Sequence, residues 1–222
     1  MAYPVKITSL SHLTHDVLRI VTEKPPQIQY LPGQTVDVTI DKEPWREEKR
    51  PFTFTSLPAD GFLEFTIKTY PSHQGVTNQL LGLVPGDRLI LHDVFGDIQY
   101  KGTGIFIAGG AGITPFLAIL RSLEAQHQVD GNKLLFANKT KDDIIHKEEF
   151  EKLLGDHFIN VLSGDDLPGY EHGFVTAELI QKNISPQTKY FYICGPDPMM
   201  DAMEKQLASL GIGAESIVRE SF

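Results

Sequence analysis

Only one cysteine, Cys194, stands in the 222 residues. A single thiol excludes an internal disulfide, a four-thiolate zinc site and a cysteine-ligated iron–sulfur cluster within the chain. Any redox work therefore needs another carrier. No apolar run reaches the roughly 18 residues that a membrane span needs, and Met1 to Leu10 lacks a charged start followed by an apolar block. A cytoplasmic protein with no membrane partner is the expectation. Positive charge is also scarce, 20 Lys and Arg against 29 Asp and Glu, a formal −9, which disfavours nucleic acid and anionic lipid as partners. The eight histidines are scattered, with no His-x-x-x-His pair on an expected helix, so no metal site is expected.

What is present is an ordinary globular composition, 41% hydrophobic and 22% charged, in a chain long enough for two small domains with cores of their own. From Val5 to about Ile98 short alternating segments recur. Val36, Val38 and Ile40 interleave with Asp37 and Thr39, and Leu63, Phe65 and Ile67 with Glu64, Thr66 and Lys68. Turn signals at Leu31 to Gly33, Pro58 to Gly61 and Val84 to Asp87 separate them. Such spacing predicts an antiparallel β-barrel, interrupted by one helix over Val76 to Leu83.

After Lys101 strand and helix alternate, which predicts a parallel five-stranded α/β sheet covered on both faces. Strands are expected at 105–108, 133–137, 158–162, 190–194 and 216–219, and helices at 114–127, 142–154, 175–181 and 197–210. The boundary falls between Ile98 and Gly104, giving domains 1–100 and 101–222.

In open parallel sheets ligands bind beyond the C-terminal strand ends, and two of these ends carry distinctive turns. After Ile105 to Ala108, Gly109, Gly110 and Gly112 make a turn without Cβ atoms, Thr114 stands where an N-cap belongs, and Pro115 fits the first helical position. That arrangement suits a phosphate or a polarised ring, and equally suits ordinary α/β packing, since the third glycine of Gly-x-Gly-x-x-Gly is replaced by Pro115. After Tyr190 to Cys194 comes Gly195-Pro-Asp-Pro198. Cys194 is either a small buried apolar side chain or a group at the ligand edge.

The stretch Arg50, Pro51, Phe52, Thr53, Phe54, Thr55, Ser56 offers an aromatic face, hydroxyls and an arginine able to grip a pyrophosphate. Alone it could be an amphipathic strand with a surface arginine. It resembles the Arg-x-Tyr-Ser-x-x-Ser flavin motif of the ferredoxin–NADP⁺ reductase superfamily, and the remaining motifs of that superfamily follow in order. Gly75, Val76 and Thr77 resemble its phosphate loop. Gly109 to Pro115 matches its Gly-Gly-x-Gly-Ile-Thr-Pro. Leu134 to Thr140 with Asp143 to Ile145 resembles the segment after the second strand of cytochrome b5 reductase-like members. Cys194-Gly195-Pro196 with Met199 matches the nicotinamide loop, and Glu220 to Phe222 resembles the terminal Glu-x-aromatic. Two departures stand out: the flavin-stacking tyrosine is Phe52, and its serine is Thr53.

The resemblance implies FAD in the barrel and NADH or NADPH across the turns of the α/β domain, with hydride passing to the flavin at their junction. Arg50 would clamp the pyrophosphate at a helix start capped by Thr77. Phe52 would pack on the flavin with Thr53 beside it, Ile67 and Lys68 would run along it, and Tyr70 would stack on adenine. Phe222 would shield the ring, while Cys194 and Glu220 would orient the nicotinamide without a covalent intermediate. Asn138, Lys139, Thr140 and Lys141 lie where a 2′-phosphate would be read. The lysines suit a phosphate or a solvated helix approach, and the cytochrome b5 reductase-like segment favours NADH. The resemblance implies a separate acceptor: a flavodoxin, ferredoxin, haem protein, oxygenase component or small molecule. A free-flavin reductase and a non-catalytic FAD-binding subunit are the competing functions.

Overall fold

The computed structural model describes residues 2–70, 72–73 and 75–220. Its first half is a six-stranded antiparallel sheet: β1 (Tyr3–Thr14), β2 (Val17–Glu23), β3 (Thr35–Ile40), β4 (Arg50–Thr53), β5 (Phe62–Lys68) and β6 (Arg88–Phe95), in the order β4-β3-β6-β1-β2-β5. An isolated bridge between Phe54 and Phe65 joins its two edges, extended by Thr55 N–H donating to the Glu64 carbonyl at 2.8 Å. Val36, Val38, Ile40, Leu63, Phe65 and Ile67 all turn inward, as alternation predicts. Glu64 and Thr66, on the polar side of β5, are buried as well, because the second half packs over them. The helix expected at 76–83 is one turn of α1 (Val76–Gln79) continued by a 3₁₀ turn, Leu80–Gly82.

The second half is a parallel sheet of β7 (Gly104–Gly109), β8 (Lys133–Asn138), β9 (Phe158–Leu162), β10 (Glu171–His172), β11 (Tyr190–Cys194) and β12 (Ile217–Val218), ordered β10-β9-β8-β7-β11-β12. It has six strands rather than five. The sixth, β10, is a two-residue pairing of Glu171 and His172 with Val161 and Leu162, too short and too polar to announce itself by hydrophobic pattern. Phe106, Ala108, Leu134 and Phe136 pack on one face with α2 (Thr114–Ala125) and α3 (Lys147–Leu154). Ile105, Ile107, Leu135 and Ile193 pack on the other with α4 (Ala177–Asn183) and α5 (Asp197–Ser209). Alternate residues of one strand thus feed two cores, the expected burial of a doubly covered parallel sheet.

Three helix starts differ from expectation. Gly110–Ile113 wind as a 3₁₀ turn straight into α2, so Thr114 is the first helical residue, Ile113 holds the cap, and Thr114 Oγ1 donates to the Ala111 carbonyl at 3.1 Å. The expected helix 142–154 is broken: Thr140 and Asp143 form a capping box on a 3₁₀ turn, Ile144 and Ile145 dip into the core, and His146 turns left-handed (φ 53°) before α3 begins. In α4 the Thr176 hydroxyl accepts the Leu179 N–H at 3.2 Å, moving the start beyond Val175. Tyr192 fastens the connection between halves, its hydroxyl donating to Gly102 O at 2.6 Å and accepting from Lys101 and Gly102 N–H. No helix among the described residues is long and apolar enough to cross a membrane.

Candidate functional site

The C-terminal ends of β7, β8, β9 and β11 open onto a cavity of about 580 Å³. Eight residues singled out from the sequence meet there: Lys68, Gly109, Gly110, Asn138, Lys139, Asp143, Pro196 and Met199. One wall is polar and comes from both halves. Lys68 Nζ lies 2.9 Å from Asp16 Oδ2, and His15 Nε2 lies 3.8 Å from Asp143 Oδ1. Burial alone would raise the Asp16 carboxyl, but the Lys68 hydrogen bond and charge outweigh it and hold it below its ordinary value. His15, Asp16 and Asp143 cluster tightly enough for a cation, but the Lys68 ammonium already occupies the Asp16 carboxylate.

Two residues that line this cavity each keep a buried polar atom with no hydrogen-bond partner among the described residues, Asn138 Nδ2 and Gln206 Oε1. The Gln206 amide is oriented by Nε2 donating to the Val175 carbonyl at 2.9 Å. Both atoms are closed off from solvent, where leaving a polar group unmet costs free energy. The lining also includes Phe174, 78% exposed, next to Gly173 with φ +99°. Neither Phe174 nor Gln206 was marked by the sequence. Phe174 sits in an apolar pair that reads as a helix start, and Gln206 is one polar residue among many on α5.

The glycines divide by role. Gly110 (φ +51°) faces open space. A Cβ on Gly112 would lie 2.3 Å from the Cys194 carbonyl oxygen, and one on Gly109 would lie 2.3 Å from Met199 Sδ. These two let the turns after β7 and β11 pack against each other. Thr114 and Pro115 are buried behind the turn. Cys194 and Gly195 follow on β11, with Gly195 close to Met199 and Gly109.

The remaining residues do not line this cavity. Arg50 and Pro51 are exposed; Arg50 Nη1 donates to the Lys49 carbonyl at 2.6 Å, and Nη2 stands 3.5 Å from Glu48. Phe52 packs against the first core while half-exposed, and Thr53 Oγ1 lies 3.4 Å from Thr35 Oγ1. Ile67 and Val76 are core residues. Tyr70 is 44% exposed and stacks on His73 at 5.5 Å. Gly75 holds the cap position of α1, with Thr77 in its first turn making no capping bond. Glu220 Oε2 accepts the Asp97 N–H at 3.0 Å. Phe222 lies outside the described residues.

Comparison with known proteins follows the same division of the chain. Residues 2–88 match a family described as an FAD-binding domain, and residues 106–205 one described as an oxidoreductase NAD-binding domain. The NADH-cytochrome b5 reductase 1 of Aspergillus terreus is 33% identical over 92% of this chain and 75% of that protein. The reductase component of propane 2-monooxygenase from Rhodococcus jostii is 28% identical over 98% of this chain and 62% of that protein. Among solved structures, a cytochrome P450 reductase of Amycolatopsis superposes with a TM-score of 0.85 at 22% identity, covering 100% of this chain and 70% of that one.

Proposed function

The chain belongs to the ferredoxin–NADP⁺ reductase and cytochrome b5 reductase superfamily, and on that premise we propose that it draws electrons from NADH and delivers them to a haem or oxygenase protein. It is a flavoprotein oxidoreductase that uses FAD and NAD(P)H. The observation that carries the nucleotide site is the cavity at the strand ends, where Gly109, Gly110, Asn138, Lys139, Pro196 and Met199 meet.

The donor set of the first half suits FAD. Arg50 offers a charge for a pyrophosphate, Gly75 and Thr77 an open helix start, Phe52 and Tyr70 aromatic faces, and Thr53 a hydroxyl; we assign these residues to the flavin, with Ile67 and Lys68 behind it. The sheet whose edges meet at Phe54 and Phe65 would be the flavin barrel, residues 1–100, and residues 101–222 the nucleotide domain. When bound, FAD supplies the exchange between paired and single electrons, and the protein supplies position and electrostatics. Cys194, Glu220 and Thr53 would orient the reacting ring faces. Gly109, Gly110, Gly112, Pro196 and Met199 would shape the nicotinamide end.

NADH is favoured over NADPH by Asp165, whose carboxylate accepts the Lys141 N–H at 2.9 Å. A 2′-phosphate beside Lys139 and Lys141 would meet that negative charge. A cytoplasmic setting fits the single thiol. Dialysis tests the FAD assignment: purified protein should stay yellow, whereas loss of colour with continued reduction of added free flavin would point to a flavin reductase instead.

A further inference from the structure

Arg121 centres a buried polar cluster that the proposed reaction leaves unused. Its side chain is 19% exposed. On α3, the two carboxylate oxygens of Glu149 accept from Nε and Nη2 at 2.5 and 2.8 Å. Across the junction, Nη1 donates to Glu64 Oε1 on β5 at 2.6 Å and to the Thr55 carbonyl at 2.7 Å. Arg19 on β2 holds the other Glu64 oxygen at 2.6 Å. His146 lies between the halves, Nδ1 3.0 Å from Glu149 Oε2 and Nε2 3.5 Å from Thr66 Oγ1.

Each arm of this cluster leads along the chain to the site. Thr55 is two residues beyond Thr53 in the flavin stretch, and Glu64 is four before Lys68 on the cavity wall. Arg121 lies on the helix that starts at the glycine turn, and Glu149 follows the Asp143 cap. As a source of stability a buried ion cluster is weak, because desolvation offsets much of the attraction. As a register device it is strong. A planar guanidinium fork admits few arrangements, and without it the buried Glu64 and half-buried Glu149 lose the group that bridges them.

We propose that Arg121 is a positioning residue for flavin reduction: by holding the Thr55 carbonyl, Glu64 and Glu149 together, it sets the flavin strand against α2 and α3, the helices that follow Gly110 and Asp143 of the cavity lining. The inference rests on the proposed function of the two halves. A lysine keeps the charge and loses the fork, so Arg121→Lys separates charge from geometry. A displacement of about 1 Å between reacting groups costs on the order of 10²-fold in rate.

The test uses the full chain carrying FAD, as wild type, Arg121→Lys and Glu149→Gln. Four quantities are measured: the FAD dissociation constant, NAD⁺ affinity, the thermal midpoint, and stopped-flow bleaching of the flavin band at saturating NADH with its long-wavelength charge-transfer absorbance. Both variants should hold FAD and NAD⁺ within about threefold of wild type, bleach slower by about tenfold or more, and show a weakened charge-transfer band. Bleaching within about twofold of wild type overturns the proposal, as does a slower rate matched by equal loss of FAD or NAD⁺ affinity, which would make Arg121 scaffold only. Should Arg121→Lys not fold, Glu149→Gln, which retains the Thr55 and Glu64 contacts, decides by the same criteria. A wild-type protein that binds no FAD, or whose bound flavin NADH does not bleach, overturns the proposed function and this inference with it.

Discussion

The Glu220 carboxylate accepts the backbone N–H of Asp97 at 3.0 Å, tying the last described residue to the segment that joins the two halves. Burial, with the charge of Asp97 added, pushes the Glu220 carboxyl above its ordinary range, against the Asp97 and Ile98 N–H bonds that lower it. Burial first, then the Glu220 charge, pushes the Cys194 thiol up to about 12.

Cys194 is accordingly a neutral thiol at physiological pH rather than a nucleophile, and its proposed role is to orient the nicotinamide. Alkylation of the native protein at pH 8 should be slow and become fast on denaturation. Cys194→Ala should keep FAD bound and slow flavin reduction by about tenfold through misplacement of the nicotinamide. Stopped-flow reduction at the wild-type rate would leave Cys194 a packing residue only.

Arg50→Ala should weaken FAD retention by about 1–3 kcal/mol, the range of a charge-assisted contact. Equilibrium dialysis followed by flavin fluorescence measures it. An unchanged dissociation constant would remove Arg50 from the pyrophosphate.

Gly112→Ala drives a Cβ to within 2.3 Å of the Cys194 carbonyl oxygen and 2.8 Å of the Gly195 nitrogen. Backbone cannot swing aside as a side chain can, so overpacking of about 1–3 kcal/mol is expected in urea unfolding. Gly109→Ala meets chiefly the flexible Met199 side chain and should cost less. The reverse order would contradict packing between the turns as the reason for these glycines.

Acid should loosen the junction. Burial would raise the Glu149 carboxyl, but hydrogen bonds from Arg121 and His146 and their charges bring it from 4.5 down to about 2; Glu64 is likewise lowered against its burial by Arg121 and Arg19. A carboxyl depressed in the folded state contributes stability that is fully present above its unfolded value and is lost as pH falls through its folded one. The thermal midpoint should therefore fall as pH drops from 4.5 toward 2. Glu149→Gln should have a lower midpoint near neutrality and a shallower acid slope; an identical slope would show that Glu149 does not carry the effect.

Much of this architecture is legible residue by residue. Val36, Val38 and Ile40 declare a one-sided strand by period, and Ile105 to Ala108 declare a strand buried on both faces by having none. The glycine turn and Cys194-Gly195-Pro196 can be read as strand ends of one parallel sheet, though not as the neighbours that β7 and β11 are. Long-range pairing is what the one-dimensional pattern conceals. Glu64 and Thr66 read as an exposed polar face because Arg121 and His146, which cover them, lie far along the chain. Thr114 reads as an N-cap because its residue type suits one, whereas the preceding 3₁₀ turn had already begun the helix. Strand β10 has no hydrophobic signal at all. In the cavity, Asn138 and Met199 follow from motif position, Lys68 is expected along the flavin instead, and Phe174 and Gln206 gain significance only when α5 and the loop after β10 face the strand ends.

The most direct test of the account is an anaerobic titration of the purified protein, following the visible flavin band separately with NADH and with NADPH. Stoichiometric bleaching by NADH, with NADPH requiring far higher concentration, is the predicted result. A protein that stays colourless after incubation with FAD, or one whose bound flavin neither nucleotide bleaches, would contradict it.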